Sequence, residues 1–472
     1  MSPVVKIPTG VPGLDRITHG GLPKGRTTLI TGKSGAAKSI LSLQLASNFA
    51  RSGLKTVIFA IEEAPEDLIS SGDTLGFGIS GLVERGLLRF ADLTRRPETA
   101  TLVTGDYDMG AMAHRVEAAA KDFGAQALVL DSATALFSPR PPEDRLRSHF
   151  FHLVDAFRKH QLTAVVTAEA PDDYGPRTTL GVEDFVCDAV IVLRNLIDNE
   201  RRRRTIEVHK YRRSAHHKGE YPCTITNKGV MVFPFGTQPT HENAETGRFS
   251  SGLQGLDSMT GGGWLRDSII MARGPAGSGK TTLAGMYSRA GALRGERVAY
   301  YGFEETRPML LRNFASMGLP MEEFLAKGLI LMECRYPEAT SPEDLLVELR
   351  RSLEEFKPSL IVLDSISSVA HSTSARGFRQ FMVGFASLVR EHSRSALLTQ
   401  AVNDVKEDER TAPFLSTIGD AIISFDYQRK GKTLERRISV TKMRGSAHSD
   451  DAFQVRLGHQ GLTIEPLKDS EA

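Results

Sequence analysis

With 472 residues, of which 25% are charged and 40% hydrophobic, the chain is long enough for two or three globular domains. Its formal net charge of +2 does not indicate nucleic acid as a partner, its three cysteines share no metal-binding spacing, and no apolar run approaches the roughly 20 residues of a membrane helix. The sequence therefore predicts a soluble, cytoplasmic protein that binds neither membranes nor nucleic acid.

The chain contains two copies of one unit. Residues 9–39 match residues 251–281 without a gap, so that Lys38 aligns with Lys280 at an offset of 242 residues. Two copies indicate a duplicated domain rather than a solenoid. A polar stretch without apolar periodicity separates them. We predict an N-terminal domain at residues 1–237, a linker at 238–248 and a C-terminal domain at 249–472.

In the first copy, short apolar runs alternate with longer stretches of helical spacing. This alternation predicts an α/β fold in which helices flank a mostly parallel sheet. Ligands of such sheets bind at the carboxyl ends of the strands. The predicted strands of the first copy are residues 27–31, 56–61, 128–130, 163–167 and 190–193.

The first phosphate-binding motif departs from its consensus at one position. Residues 32–39 read GKSGAAKS, which keeps the lysine and the hydroxyl residue of G-x-x-x-x-G-K-[ST] but replaces the second glycine by Ala37. A methyl group at this position narrows the loop or opposes a positive φ, so we expect ATP binding with slow turnover. The predicted ATP contacts are Gly32, Ser34, Gly35, Ala36, Ala37, Lys38 and Ser39.

Carboxylates follow two predicted strands of the first copy. Glu62 and Glu63 follow an apolar strand, and a pair placed there can orient a water or take a hydroxyl proton. Asp131 ends a second strand and is followed by a serine, an arrangement that places a carboxylate near magnesium. Taken singly, these residues could be a solvated surface or a polar strand end. Both patterns recur in the second copy, which favours the functional interpretation.

A basic cluster ends the first copy. Lys210, Arg212 and His216 lie in KYRRSAH, where a lysine and an arginine two residues apart on an extended segment project to one side. Such groups could contact the triphosphate of a neighbouring subunit. We interpret Arg201–Arg204 as a solvated turn between strands. The absence of interleaved aromatic residues argues against a nucleic-acid patch.

The second copy carries the complete motif GPAGSGKT at residues 274–281, after a predicted strand. Its backbone N–H groups would surround the phosphates, Lys280 would reach the β/γ oxygens, and Thr281 would ligate magnesium. We predict magnesium near Ser39, Asp131, Thr281 and Asp364, bound through a hydroxyl or in the second shell. The predicted ATP contacts are Gly274, Ala276, Gly277, Ser278, Gly279, Lys280, Thr281 and Thr282.

The other features of the first copy also recur. Glu304 and Glu305 align with the first glutamate pair, and Asp364 again ends an apolar strand before a serine. The second basic cluster reads KMRGSAH and contains Lys442, Arg444 and His448. We predict that the four glutamates are catalytic.

These motifs carry a resemblance that covers the chain from residue 9 to about residue 466. The duplicated P-loops, the paired glutamates, ERRRRTIE (200–207), HKGEYPCTIT (217–226) and KMRGSAH resemble the KaiC family of circadian clock ATPases. The resemblance implies two tandem RecA-like domains that stack as two rings of a homohexamer, with ATP at every subunit interface. It makes both basic clusters contacts in trans, from Lys210, Arg212, His216, Lys442, Arg444 and His448.

The resemblance also divides the work between the rings. It implies that the N-terminal ring is a slow ATPase and that the C-terminal ring phosphorylates, and dephosphorylates, an adjacent serine and threonine, here Ser416 and Thr417. Read without the resemblance, this pair is a cap or a turn. Thr411 matches a further threonine of the transfer pathway, whereas Gly419 stands where the clock protein has another hydroxyl residue.

Two partner expectations follow from the resemblance. Residues 105–112 resemble the segment that recruits KaiB, although read alone they are an ordinary surface loop. Seven residues follow Glu465, too few for the tail that KaiA grips, so we expect phosphorylation without KaiA. Two alternatives stay open, a RecA-like DNA recombinase or helicase and a scaffold in which nucleotide only joins the subunits.

Overall fold

The computed structural model describes residues 4–93, 109–137, 143–179, 181, 183–199, 201–234, 247–336, 340–402 and 414–467. The chain divides into two compact units, Met1–Pro234 and Phe235–Ala472, and each is described by itself. Most of the predicted linker, residues 105–108 of the KaiB-type segment, and Thr411 lie outside the described residues. None of the helices in the described ranges has the length and apolarity that crossing a bilayer requires.

The N-terminal unit alternates strands and helices as far as β8 and then continues with strands. Its strands are β1 (Lys6–Ile7), β2 (Leu22–Pro23), β3 (Thr27–Gly32), β4 (Thr56–Ala60), β5 (Leu88–Asp92), β6 (Ala127–Asp131), β7 (Thr163–Glu169), β8 (Ala189–Asp198), β9 (Arg201–Tyr211), β10 (Glu220–Thr226) and β11 (Gly229–Val232). Its helices are α1 (Leu14–Ile17), α2 (Lys38–Arg51), α3 (Pro65–Thr74), α4 (Ile79–Glu84), α5 (Met109–Phe123), α6 (Ala133–Leu136), α7 (Glu143–Lys159) and α8 (Glu183–Val186).

The C-terminal unit repeats this series, with a further helical turn over residues 414–418. Its strands are β12 (Arg248–Phe249), β13 (Trp264–Leu265), β14 (Ile269–Gly274), β15 (Val298–Gly302), β16 (Ile330–Cys334), β17 (Leu360–Asp364), β18 (Ser395–Ala401), β19 (Ala421–Lys430), β20 (Thr433–Met443), β21 (Phe453–Gly458) and β22 (Gly461–Pro466). Its helices are α9 (Gln254–Met259), α10 (Lys280–Leu293), α11 (Arg307–Ser316), α12 (Glu322–Ala326), α13 (Pro342–Glu355), α14 (Ile366–His371) and α15 (Ala375–Glu391).

Each unit is built on a nine-stranded sheet with one strand order, β11-β10-β9-β8-β3-β7-β6-β4-β5 in the first and β22-β21-β20-β19-β14-β18-β17-β15-β16 in the second. The strand that precedes the P-loop pairs in parallel with both of its neighbours. The last three strands of each sheet are antiparallel. The predicted α/β architecture of two RecA-like domains is confirmed.

The parallel strands are nearly continuous apolar runs because helices cover the sheet on both faces. Leu128, Leu130, Leu360 and Leu363 are fully buried. Polar residues begin where these runs end, and they therefore lie together at the carboxyl edge of the parallel strands.

The interpretation of Arg201–Arg204 as a solvated turn is wrong. The four arginines begin β9, which pairs with β8 from Asp198 onward. Side chains alternate between the two faces of a strand, and Arg203 lies on a buried face, where it is 9% exposed and its Nη1 lies 3.6 Å from Asp198 Oδ2. The charge run is therefore part of the sheet.

Candidate active sites

The P-loop of the C-terminal unit joins β14 to α10 at the carboxyl edge of the sheet. Gly274 approaches the neighbouring strand so closely that a Cβ there would lie 2.5 Å from the carbonyl oxygen of Phe425. Gly279 has a φ of 108° and caps the helix, a conformation that favours glycine. The sequence at these positions therefore fits a loop whose backbone N–H groups face a phosphate.

Two polar side chains of this loop fit an anionic ligand. Lys280 is 8% exposed, and its Nζ donates to the carbonyl oxygens of Gly274 and Pro275, both at 2.8 Å. Burial lowers the pKa of Lys280, although Asp364 and Glu304 oppose the shift. The buried hydroxyl of Ser278 has no hydrogen-bond partner among the described residues. A phosphate oxygen would satisfy both groups.

Oxygen ligands for magnesium meet beside the lysine. The Thr281 hydroxyl donates to Asp364 Oδ1 at 3.4 Å. Asp364 also accepts from the hydroxyls of Thr399 and Tyr300, the latter at 2.6 Å. Burial raises the pKa of Asp364, and these hydrogen bonds oppose the shift. A hydroxyl and a carboxylate oxygen so placed suit Mg²⁺, which prefers oxygen ligands.

The paired glutamates lie just after β15 and are held by other elements. Glu304 Oε1 accepts from Ser365 at 2.6 Å and from Ser368 at 3.0 Å. Glu305 Oε2 accepts from Asn313 Nδ2 at 2.7 Å. These bonds fix the orientation of both carboxylates, and Glu304 is close enough to Lys280 and Asp364 to influence the pKa of each. A general base for phosphoryl transfer is needed at this position.

The N-terminal unit repeats this site. Lys38 Nζ donates to the carbonyl oxygen of Gly32 at 2.8 Å, and Ser132 donates to Glu62 Oε1 at 2.6 Å. Asp131 accepts from the hydroxyls of Thr167 and Ser39, and burial raises its pKa. Burial also raises the pKa of Glu63 and lowers that of Lys38.

Ala37 differs from its glycine counterpart in the cost of its conformation. Its φ is 80° and its ψ is 26°, in the left-handed region. An L-residue with a Cβ is disfavoured there by about 1–2 kcal/mol. The backbone of the N-terminal P-loop is therefore strained at the position where the consensus has glycine.

The side chain of Thr282, a predicted ATP contact, is engaged by another residue of the unit. Thr282 is buried, and its hydroxyl lies 3.1 Å from the sulfur of Met317. Only the backbone N–H of Thr282 is left to face a phosphate. The other predicted P-loop residues lie on the loop or the first turn of the following helix.

Each P-loop is also braced by a cross-strand pair that the sequence motifs did not indicate. In the first unit Asn195 and Arg204 both donate to the carbonyl oxygen of Gly35, at 3.1 and 3.4 Å. In the second unit Tyr427 donates to Ala276 at 3.3 Å and Arg436 to Gly277 at 3.2 Å. The pairing of β8 with β9 and of β19 with β20 places these residues opposite one another.

The second basic cluster lies at the opposite edge of the sheet from the P-loop, where the parallel strands begin. Lys442 pairs with Ile422 near the start of β19, and β20 runs antiparallel to β19. Lys442 and Arg444 both bond to backbone carbonyls of residues 416–419 in the same unit. Arg212 holds the equivalent position in the first unit and donates to the carbonyl oxygen of Phe185 at 2.8 Å.

The Ser416–Thr417 pair shares that edge. It precedes β19, and Asp420, the residue immediately before β19, donates its N–H to the carbonyl oxygen of Ile269 at the start of β14. The P-loop begins at Gly274, five residues later and about 16 Å along the strand. Neither Ser416 nor Thr417 therefore lies beside the P-loop of its own unit. The six residues predicted to act in trans lie within the last two residues of β9 and β20 or just after these strands: Lys210, Arg212, His216, Lys442, Arg444 and His448.

Comparison with known proteins finds relatives along the whole chain. The model of the KaiC ATPase family matches residues 7–236 and again 249–469. Circadian clock oscillator protein KaiC of Parathermosynechococcus lividus is 37% identical over 98% of this chain and 85% of its own length. The protein of that name from Picosynechococcus sp. is 38% identical over 98% of this chain and 90% of its own. Circadian clock protein KaiC3 of Synechocystis sp. is 36% identical, with 98% and 92% covered.

Proposed function

Because the chain belongs to the KaiC ATPase family, we propose that it is an ATP-dependent autokinase and autophosphatase and a slow ATPase in circadian or timer-type signalling. It assembles into a double-ring homohexamer and phosphorylates its own Ser416 and Thr417. ATP binds between subunits, where the P-loop of one copy meets the basic cluster of the next.

The observation that carries the proposal is the separation of the acceptor pair from the P-loop. About 16 Å of strand lies between the start of β14, beside Asp420, and Gly274. A hydroxyl of Ser416 or Thr417 therefore meets a phosphate held by a second copy. A ring with nucleotide at each interface meets this requirement for every subunit.

The proposed transfer uses the residues of the C-terminal site. The oxygen of Ser416 or Thr417 attacks the γ-phosphorus of ATP, the bond to the β–γ bridging oxygen breaks, and ADP leaves. Glu304 accepts the hydroxyl proton, and Glu305 supports it. Lys280 balances phosphate charge from one subunit, and the second basic cluster does so from the other. Mg²⁺, which Thr281 and Asp364 would hold, supplies further charge neutralisation when bound.

The N-terminal unit is the slow ATPase of this proposal. Glu62 and Glu63 orient a water, and Ala37 strains the loop that holds the phosphates. The residues equivalent to Ser416 and Thr417, counted back from Asp188 and Asp420, are Asp184 and Phe185. Neither carries a hydroxyl, so the acceptor chemistry is confined to the C-terminal unit.

The remaining parts of the proposal come from the sequence. We keep the domain limits 1–237 and 249–472 with a linker at 238–248. We also propose a cytoplasmic location, and a KaiB-like protein that binds the N-terminal ring at residues 105–112.

Intact-mass analysis and phosphopeptide mapping after incubation with Mg-ATP test this proposal. We expect one or two added phosphates on the peptide that contains Ser416 and Thr417, and none in a variant with alanine at both positions. Size measurement should show a hexamer with ATP and smaller species without it, because ligand bound between copies stabilises the ring by mass action. Wild-type protein that gains no phosphate would refute the autokinase.

A further inference from the structure

The turn that carries Ser416 and Thr417 is held by three cationic side chains of its own unit. Each of the four backbone carbonyls of residues 416–419 accepts a hydrogen bond from one of them. The donors are Lys442 Nζ to Ser416 (2.5 Å) and Gly419 (2.7 Å), Arg444 Nη2 to Thr417 (3.1 Å), and Arg390 Nη2 to Ile418 (3.1 Å). We name residues 414–419 the acceptor turn, and Arg390, Lys442 and Arg444 the clasp.

The clasp satisfies carbonyl groups at the end of a short helix within the acceptor turn. Residues 414–418 form one helical turn, and the last carbonyls of a helix have no partner within it and carry partial negative charge. Bonds from cationic donors to such carbonyls are stronger than bonds between neutral groups. The three cations therefore fix a segment whose own hydrogen bonds are too few to do so.

Asp420 connects the clasp to the sheet. Its Oδ1 lies 3.4 Å from Arg444 and 3.7 Å from Arg390, while its Oδ2 accepts from the N–H of Ile269 at 3.0 Å. Ile269 begins β14, the strand that leads to the P-loop. The acceptor turn is thus tied to a rigid part of the fold.

The N-terminal unit repeats two of these contacts without an acceptor. Arg158, in the last turn of α7, reaches Asp188 at 3.4 Å as Arg390 in α15 reaches Asp420. Phe185 occupies the position of Thr417, and Arg212 bonds to its carbonyl. Arg158 is therefore a matched control for Arg390, since it has the same place in the fold and the same carboxylate partner.

We propose that Arg390 is a positioning residue for phosphoryl transfer, which holds the acceptor turn so that Ser416 and Thr417 face the nucleotide of the neighbouring copy. This inference rests on the proposed function. In the proposed function Lys442 and Arg444 also contact the phosphates of the ATP held by the neighbouring copy. The bonds of Arg390, by contrast, go to the acceptor turn and to Asp420. Among the described residues, the contacts of Arg390 are thus confined to the turn and its carboxylate partner, whatever contacts the other two cations make to nucleotide.

Three variants test the role of Arg390. Arg390→Met removes both of its bonds, Arg390→Lys keeps a single cationic donor, and Arg158→Met makes the matched change in the first unit. Because a displacement of 1 Å can slow a reaction about 100-fold, we expect Arg390→Met to slow phosphate incorporation at least about tenfold. It should also change the ratio of phosphate on Ser416 to that on Thr417. Arg390→Lys should recover part of the rate, and Arg158→Met should match wild type.

ATP turnover, the KM for ATP, hexamer formation and Tm separate positioning from general damage. We expect Arg390→Met to leave all four close to wild type. If wild-type protein incorporates no phosphate, the proposed function itself fails. If wild type is phosphorylated and Arg390→Met matches it in rate and in site ratio, the inference is overturned. Equal slowing by Arg390→Met and Arg158→Met, or parallel losses of ATP turnover and Tm, would overturn it too.

Discussion

The two units place the same carboxylates at the same edge of the same sheet, but they hold them with different partners. Glu62 and Glu304 each accept from the serine after the strand aspartate, at 2.6 Å. Glu304 accepts a further bond from Ser368, and the equivalent residue in the N-terminal unit is Ala135. The second glutamate site is therefore the more tightly oriented one.

The buried aspartates differ in the same way, because among the described residues Asp364 accepts one more hydrogen bond than Asp131 does. Asp364 accepts from the buried hydroxyl of Tyr300 at 2.6 Å, and Ile58 occupies the equivalent position beside Asp131. Duplication has kept the acids, while the hydrogen-bond donors around them have diverged. A hydroxyl delivered by another subunit must be met by a fixed base, whereas a water can adjust its own position. The comparison thus supports different reactions in the two units.

The largest expected effect comes from removing the proposed base in one unit at a time. Glu304→Gln should reduce phosphate incorporation at Ser416 and Thr417 by about 100-fold or more, because general base catalysis is typically worth 10²–10⁴-fold. Glu62→Gln, the matched change, should reduce the ATP turnover of the N-terminal unit and leave incorporation nearly unchanged. Both are measured by phosphopeptide mass spectrometry and ADP release.

The hexamer should form with either glutamine variant, which sizing with ATP would check. Unchanged phosphate incorporation in Glu304→Gln would refute the role of Glu304 as base. Equal loss of phosphate incorporation in both variants would contradict the assignment of different reactions to the two units.

A smaller effect, a loss of stability of the C-terminal unit, is expected from Tyr300→Phe. This change removes a buried donor to a carboxylate, and hydrogen bonds to charged groups contribute about 1.5–3 kcal/mol. The single tryptophan of the chain, Trp264, is buried in the C-terminal unit, so its fluorescence during urea unfolding reports that unit. Tyr301→Phe removes a neighbouring hydroxyl on the next residue and serves as control. Equal destabilisation by both changes would contradict a special role of Tyr300.

Ala37→Gly should have a modest effect on the N-terminal unit. Relief of the left-handed alanine is partly offset by the greater freedom of glycine in the unfolded chain, so we expect a gain of at most about 1 kcal/mol. The ATP turnover of this unit should rise or stay the same. Turnover is measured in a Glu304→Gln background, and the Trp264 unfolding transition should not move. A marked fall in turnover would show that the alanine serves the reaction.

The smallest effect concerns pH. The rings of His19 and His217 meet edge to face at 4.6 Å, and burial together with the nearby His217, Lys6 and His216 lowers the pKa of His19. A pKa lowered by folding contributes stability above the unfolded value of about 6.5, and that stability is lost as the pH falls through the folded pKa.

The C-terminal unit has Gly261 and Ser449 at the positions of these histidines. Between pH 7.5 and 5.5 we therefore expect the Tm of the N-terminal unit to fall slightly more than that of the C-terminal unit, and the effect is small because His19 is exposed to solvent. His19→Asn should reduce this difference, as followed by circular dichroism and by Trp264 fluorescence. No change on substitution would assign the pH dependence to other groups.

The sequence predicted those parts of the site that are encoded locally. The P-loop around Lys280, and Asp364 at the end of an apolar run, could be read from spacing because a strand, a glycine loop and a helix follow one another in the chain. The duplication strengthened each assignment. The fold class followed from the same alternation.

The parts of the site that the sequence did not predict depend on residues that are distant in the chain and adjacent only in the folded structure. Tyr300 reads as one more apolar strand residue, Ser368 as a helical serine, and Arg390 as a basic residue in the last turn of a helix, where cations are common. Their partners are 64, 64 and 28 residues away in the chain. Comparing the two copies could have drawn attention to Tyr300 and Ser368, because their counterparts are Ile58 and Ala135.

A mixing experiment tests most directly the central claim that phosphate passes between subunits. An epitope-tagged Lys280→Met variant keeps its acceptors but lacks the C-terminal P-loop lysine, and a second variant keeps that lysine but has Ser416→Ala and Thr417→Ala. The two are mixed without nucleotide and then given Mg-ATP. We predict phosphate on Ser416 and Thr417 of the tagged subunits only in the mixture. Tagged subunits that stay unphosphorylated in mixed hexamers, while wild type is phosphorylated in parallel, would contradict the account.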